Sequence, residues 1–545
     1  MLVLAPIVLA QWLGLVAFAL TVRHNGWLYY QGGDETFYYT TSWLLTGWQL
    51  PTTAIGYGWS FLTTPIALFA GPNVLDGMPA IIVLNAVVLG PVATLCVYGI
   101  ASRLGGRLLG YWAAACWVAA PYAVIPLWDH RYHQKWVELF LPQALGLTNL
   151  GDYPSMVALL VAAYFCFRAL DGRDVRDGLV AGLATGFAVG IKPANGLFVA
   201  APLLGFLLAR RWRQLVPFVG ALGVTMITLA IWKQRGLGEN PALASGSPAL
   251  AYMGFGGVPL AFLHPVTKYV HVDWGQIGHN LDVLREFFWS VRPLEYLPIA
   301  GAAAVALRQA PKAAFLGAWF FAYFFVKGSS PHASVEDASF FRLMMPGFPA
   351  YLLLGTALPL LVPTYAARAS ERFRAAEPRW PRNQRRFAAV VVVFALVPLL
   401  MVATLRAQRT AQALKVYPDG LYLPIDSGFR VDARAQTGRV ELSWPARNGS
   451  ATAFYRVYRA PAFAPDPVTA ANPPIVEGMK CRRGSHADCF LEATVVAVTT
   501  TLRAVDERVP RGRWTYYVAA ASNWLGDPTL GDPLVLGKPV TVSVG

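Results

Sequence analysis

Helix-length apolar runs recur from one end of this chain to residue 405, and they limit what it can fold into more than any other feature. They lie near 2–21, 79–101, 108–127, 154–170, 177–191, 194–209, 215–232, 295–308, 313–326, 343–362 and 387–405, about eleven in all. About 20 residues at 1.5 Å rise cross a ~30 Å hydrocarbon core, so the expected fold class is a polytopic α-helical membrane protein. Charge supports this. Only 14% of the 545 residues are charged, roughly half the share of a soluble enzyme. The first run has no basic region upstream and no small-residue cleavage site, so it reads as a retained helix.

The formal charge is +15, and its placement explains it. Arg103 and Arg107, Arg173 and Arg176, Arg210, Arg211 and Arg213, Arg308 and Lys312, and the stretch from Arg368 to Arg386 all fall in short connections. A cytoplasmic N-terminus sends every one of these to the cytoplasmic side, as the positive-inside rule requires. No basic face on a soluble domain remains for nucleic acid. The same orientation puts loops 22–78, 128–153, 233–294 and 327–342, together with the C-terminal tail, on the outer face. The segment GLVAGLATGFAVG (178–190) predicts close helix–helix approach. The Arg-rich linker 366–386 suits contact with anionic lipid heads.

Beyond residue 405 the pattern changes to period two. RVELSWP (439–445), FYRVYRA (454–460), LEATVVAVTTTLR (491–503) and RWTYYVAAA (513–521) alternate polar with apolar or aromatic residues between Pro, Gly and Asn. That predicts an all-β sandwich over 430–545, after a linker at 406–429 and a membrane domain at 1–405. Trp444, YRVYR at 455–459 and TYYVAAAS at 515–522 resemble a fibronectin type III module. Cys481 and Cys489 flank a short insertion, and outside the membrane they suggest a disulfide. Metal binding with His486 is the lesser reading. Asn448-Gly-Ser fits a glycosylation sequon, a pattern short enough to arise by chance.

Within the membrane domain, chemistry-bearing residues collect at the outer helix ends. In QGGDETFYYT, Asp34 and Glu35 follow two glycines just beyond the first run. Asp152 precedes Pro154 in NLGDYPSM, Lys192 lies in GIKPANG, and Arg342 lies in SFFRLMMPGFPAYLLL. Each has an ordinary reading: capping for the acids, snorkelling for the cations. Together they offer carboxylates for a base or a metal and cations for an anionic leaving group. Oxygen ligands of this kind suit Mg²⁺, Mn²⁺ or Ca²⁺. Tyr38, Tyr39, Trp43, Trp48 and Trp59 could stack on sugar faces or pack at the interface. WDHRYHQKWVE (128–138) reads as an interfacial amphipathic helix with Trp128, Tyr132 and Trp136 on one stripe; His130, His133 and Glu138 make a weak metal pattern. His332, Glu336 and Asp337 are further loop residues that could line a site.

The order GDETFYY, GDYP before a helix, then FFRLMMPGFPAYLLL resembles the GT-C glycosyltransferase superfamily over residues 1–405. Protein O-mannosyltransferases, aminoarabinose transferases and bacterial arabinosyl- and mannosyltransferases belong to it. The resemblance implies an integral, multi-pass enzyme of the plasma or inner membrane. It would transfer a sugar from a polyprenyl-phosphate-sugar donor to a hydroxyl on a cell-envelope glycan, lipid or protein, with inversion, on the outer face. It also implies Asp34 as catalytic base, Glu35 as its acidic neighbour, Asp152 as the acid that binds metal or acceptor, and Arg342, with Lys192, at the carrier phosphate. Loop 233–294 and the appended sandwich depart from the superfamily pattern. The alternative is a lipid or glycan transporter or flippase, but the runs are nearly free of the mid-membrane charge that transporters carry.

Overall fold

The computed structural model describes residues 3–22, 34–51, 55–71, 74–125, 129–237, 272–288, 292–330, 333–336, 339–363, 383–408, 417–418, 425–446, 454–461, 479–481, 489–491, 494–499, 501–507, 509–521 and 533–545. Trp128, His332, Asp337, Asn448, His486 and most of the 366–386 linker lie outside them.

Among the described residues, all eleven apolar runs are mainly helical. The helices are α1 (Leu4–Thr21), α2 (Asp34–Thr46), α3 (Gly58–Ala70), α4 (Val74–Val83), α5 (Gly90–Ala123), α6 (Asp152–Asp171), α7 (Val175–Ile191), α8 (Ala200–Leu208), α9 (Trp212–Leu237), α10 (Trp274–Phe287), α11 (Pro293–Lys327), α12 (Ser339–Met344), α13 (Phe348–Thr356) and α14 (Gln384–Thr404). Among the described residues, six helices are long and apolar enough to cross a membrane. Two of the continuous helices hold a pair of runs each. Gly106 takes φ +85°, and Tyr98 and Tyr111 stack at 5.0 Å across the break, so α5 doubles back as a hairpin there. Helix α11 breaks at Gln309. Its first arm runs beside α13 in parallel, with Tyr351 Oη donating to Leu294 O and Gly301 against Leu354. Its second arm runs the other way, with Phe320 at Tyr351 and Tyr323 at Gly347.

Contacts divide the chain into two compact units. One is Met1–His24, Ile82–Ala230 and Ala242–Met401; the other is Asn25–Ile81, Ile231–Pro241 and Val402–Gly545. This partition differs from the sequence division at 405, because the first outer loop clusters with the tail. The expected linker begins as a strand: β1 (Gln49–Pro51) pairs in parallel with β2 (Arg406–Gln408). Arg235 donates to the carbonyls of Val402 and Leu405, while Trp232 and Lys233 both donate to Ile55 O.

In the first unit the glycine stripe of α7 does what its spacing promised. A Cβ on Gly178 would lie 2.3 Å from Gln214 O, and one on Gly182 would lie 2.2 Å from Phe218 O, so α7 and α9 meet backbone to backbone. The basic connections do more than orient the chain. Arg168 pairs with Asp177 at 3.0 Å, Asp171 takes Lys312 at 2.6 Å and Arg103 at 3.4 Å, and Lys312 also donates to Arg103 O. These pairs lock one end of α6. The other end, some 30 Å away along 20 residues of helix, begins with Asp152.

In the second unit the tail forms two packed sheets. One runs β10 (Thr494–Thr499), β7 (Phe454–Pro461), β12 (Gly512–Ala521), β13 (Pro533–Lys538), β4 (Ile425–Arg430), with β14 (Val540–Val544) also on β12; the other runs β11 (Arg503–Glu507), β6 (Arg439–Ser443), β5 (Asp432–Gln436). Their inner faces bury Phe429, Val440, Leu442, Trp444, Tyr455, Val457 and Val518. Trp444 packs on Tyr455. A polar tie crosses this core. Asp506 on β11 accepts from Arg459 on β7 and from Tyr516 Oη on β12, each at 2.8 Å. Burial and the Asp506 charge push the Tyr516 phenol far above its ordinary value.

Removing that charge should be costly, because it strands Arg459 in a largely buried place. Asp506→Asn is expected to destabilise the β-domain by about 3 kcal/mol, and Tyr516→Phe by about 1 kcal/mol. Limited proteolysis of the tail in the full-length protein across a denaturant series measures both, and equal stability for all three proteins would refute the tie. A second expectation concerns the small sheet of β3 (Tyr417–Pro418), β9 (Cys489–Leu491) and β8 (Met479–Cys481), where Cys481 lies directly opposite Cys489 in antiparallel register. Such pairs have Cα atoms about 4.5–5.5 Å apart, within disulfide range. A disulfide worth about 2–4 kcal/mol is expected. Alkylation of both thiols in the non-reduced, unfolded protein would count against it.

Candidate functional site: a carboxylate between two cations

Helix α6 starts where the backbone of Gly151 turns in, and Gly151 makes no side-chain cap. Asp152, its first residue, therefore does not cap the helix, and its carboxylate is 2% exposed. Lys192 Nζ donates to Oδ1, and Arg342 Nε donates to Oδ2 at 3.1 Å. The positive end of the helix dipole adds to both. Three helix ends thus meet: the start of α6, the residue that ends α7, and α12. Lys192 and Arg342 do not snorkel alone, since each is tied to the same anion while keeping 23% and 32% of its side chain exposed.

Buried side chains hold the two cations in place. Asn195 N donates to Lys192 O at 2.9 Å, and Asn195 Nδ2 donates to Ala188 O at 2.8 Å, which fixes the turn after α7. Tyr323 Oη then donates to Asn195 Oδ1 at 2.9 Å. Trp319 Nε1 donates to Pro346 O at 2.8 Å, just past α12. The sequence reading missed these positioning groups. An Asn two residues past the Lys-Pro break was the available signal.

The stretch 128–138 also has a different role from the one expected. Its Tyr132–Trp136 stripe exists but faces protein, not lipid. Tyr132 Oη donates to Val335 O, and Trp136 meets Phe341 at 5.2 Å and Phe140 at 4.8 Å. This cluster packs on the neighbour of Arg342. His130 and His133 stack edge to face at 5.1 Å, with His130 exposed. Glu336 pairs with His279 at 2.8 Å and accepts from Ser334 at 2.7 Å. Burial opposes its ionisation, but the Ser334 hydroxyl, its own backbone N–H and His279 outweigh that and hold the carboxyl below its usual value.

Asp34 and Glu35 form the first turn of α2, in the second unit. Asp34 is half-buried, whereas Glu35 is fully buried. Helix α2 packs on α3: Ser42 Oγ lies 2.7 Å from Thr63 Oγ1, and Ser60 Oγ donates to Tyr38 O. Tyr38, Tyr39 and Trp59 are core residues of this pair, so they offer no face to a sugar; Trp48 is exposed and Trp43 partly so.

Asp152 does not suit a metal. Each of its oxygens already carries a cation, and a divalent ion beside Lys192 and Arg342 would meet two like charges. Among the described residues no three His, Cys, Asp or Glu side chains gather as a metal site. The same pairing makes Asp152 a poor base, because both oxygens are engaged. Its geometry is that of an anchor for two cations.

A cavity of about 400 Å³ lies beside this cluster. Its wall is apolar and includes Tyr153, Met156, Phe341, Met345, Trp112 and Trp117. Two of these residues adjoin Asp152 and Arg342 in sequence.

Comparison with known proteins fits this arrangement. Residues 137–232, from the aromatic stretch through Asp152 and Lys192 to α9, match the family model of dolichyl-phosphate-mannose-protein mannosyltransferase. The chain is similar to the GT-C glycosyltransferases. Among solved structures it is similar to the Archaeoglobus fulgidus oligosaccharyltransferase in the apo form, at 16% identity and TM-score 0.40, covering 74% of this chain and 56% of that one. The same enzyme tethered to an acceptor peptide containing the NVT sequon matches at 15% identity and TM-score 0.35, covering 69% and 51%. This chain thus spans about half the length of those structures. No curated protein matches it. The family match falls on the stretch that carries Asp152 and Lys192.

Asp152→Ala should leave Lys192 and Arg342 facing each other without a counter-anion. Breaking such a pair costs about 3 kcal/mol, the low end of the buried range because both cations keep some solvent. A lowered melting temperature in detergent is expected, partly recovered in the double variant Asp152→Ala, Lys192→Met. A variant with unchanged melting would show that the carboxylate is dispensable to the fold.

Proposed function

We propose that this protein transfers a sugar from a polyprenyl-phosphate-linked donor to a hydroxyl acceptor, with inversion, on the outer face of the membrane. The observation that carries the reading is the Asp152–Lys192–Arg342 cluster, with an apolar cavity whose wall includes Tyr153 and Phe341, the chain neighbours of Asp152 and Arg342. An isoprenoid chain lying in the cavity would bring its phosphate to two cations that one carboxylate only half neutralises. Buried cations that meet charge developing on a leaving group are among the larger contributions to catalysis. They supply that charge without any step through a metal.

In this reaction the acceptor oxygen bonds to the anomeric carbon as the bond from that carbon to the phosphate oxygen breaks. The hydroxyl proton needs an acceptor. Asp34 takes that role on the strength of the GDETFYY resemblance and of its partly exposed place at the start of α2. Glu35, fully buried, supports the turn. A single displacement of this kind inverts the anomeric centre. The sided distribution of arginine supports an outer-face site.

Asp34→Asn tests the base. Transfer of labelled sugar should fall about 10²–10⁴-fold with little change in folding. At least half of wild-type transfer at equal expression would remove Asp34 from the mechanism. Donor binding is read separately through Cys116, a partly buried thiol in the cavity wall. A polyprenyl-phosphate donor should slow maleimide labelling of Cys116 equally in wild type and Asp34→Asn. Labelling indifferent to donor would argue against the cavity as the lipid site.

A further inference from the structure

Three residues of α11 stand four apart: Trp319, Tyr323 and Lys327. Side chains at that spacing share one helix face. Trp319 and Tyr323 are both fully buried and use their single polar hydrogens to hold the turns that carry Arg342 and Lys192. Lys327 is the next side chain on that stripe, at the last residue of the helix, one turn beyond the Tyr323 that holds the Lys192 turn. Its ammonium has no acidic partner among the described residues. Asp152 already answers Lys192, so Lys327 adds a cation that no carboxylate among the described residues meets.

We propose that Lys327 is a further catalytic residue, placed by the Trp319–Tyr323 face to meet the second negative charge of the departing phosphate. This rests on the donor reading above. A sugar linked to a lipid through phosphate is a diester with one negative charge. When the bond from the anomeric carbon to the phosphate oxygen breaks, its electron pair stays on that oxygen. The acceptor oxygen takes the carbon, and the acceptor proton goes to the base. The product is a phosphate monoester, which carries about −1.5 to −2 charge at neutral pH. Asp152, Lys192 and Arg342 together hold one net positive charge, which matches the diester; with Lys327 the site holds two, which matches the product. A charge needed only as the bond breaks favours the transition state over the ground state and so raises turnover more than affinity.

The test uses full-length protein in lipid vesicles with a polyprenyl-phosphate-sugar that the wild type accepts. Lys327→Met should lower kcat about 10²-fold, the usual loss for one such group, with donor KM within about threefold. Inhibition by polyprenyl monophosphate should weaken at least tenfold, and Lys327→Arg should restore most of both. Detergent melting checks the fold, and Lys327→Gln stands in if Lys327→Met does not fold. Normal kcat in either neutral variant would overturn the assignment while leaving the donor reading intact. An equal loss of donor and monophosphate affinity at unchanged kcat would overturn it as well. A wild-type protein that transfers no sugar from any such donor would overturn both.

Discussion

One buried carboxylate organises one end of the helical unit. Asp152 joins α6 to the end of α7 through Lys192 and to α12 through Arg342. A lone carboxylate so deeply buried would cost several kcal/mol, and lone cations beside it would repel. The three become stable only together, so the meeting of three helix ends is a condition of their charges. The result still carries excess positive charge beside an apolar wall, which suits an anion with a greasy tail.

The frame that permits this lies beneath it. Backbone contact between α7 and α9 at Gly178 and Gly182 fixes the helix that ends at Lys192. The Arg168–Asp177 and Lys312–Asp171 pairs pin the opposite end of α6. Chemistry at one face is therefore held by salt bridges at the other, through rods about 30 Å long. The aromatic cluster of Tyr132, Trp136, Phe140 and Phe341 closes the site from the side of the second outer loop.

The C-terminal β-domain solves a separate problem with similar means. Its two sheets bury an apolar core, and the Arg459–Asp506–Tyr516 tie fixes one sheet against the other. Apolar packing tolerates sliding, whereas hydrogen bonds between charged groups do not. The small sheet with Cys481 opposite Cys489 adds a covalent option of the same kind.

Composition and period alone determined the fold class: apolar runs too long for anything but helices in a membrane, then alternation that pairs as strands. Arg spacing set the sidedness expectation, and Gly spacing in 178–190 set the α7–α9 contact, because each depends on residues near in sequence. The chemistry-bearing residues Asp152, Lys192 and Arg342 were also visible one at a time. Their pairing was not, since they stand 40 to 190 residues apart and only the bundle brings them together. That pairing turned Asp152 from a candidate metal- or acceptor-binding acid into an anchor, and burial turned Tyr38, Tyr39 and Trp59 from candidate sugar platforms into core. The stripe of Trp319, Tyr323 and Lys327 hid in an ordinary apolar helix. A side chain's neighbours across the fold, and not its type, decide whether its charge is spent on structure or left for a ligand.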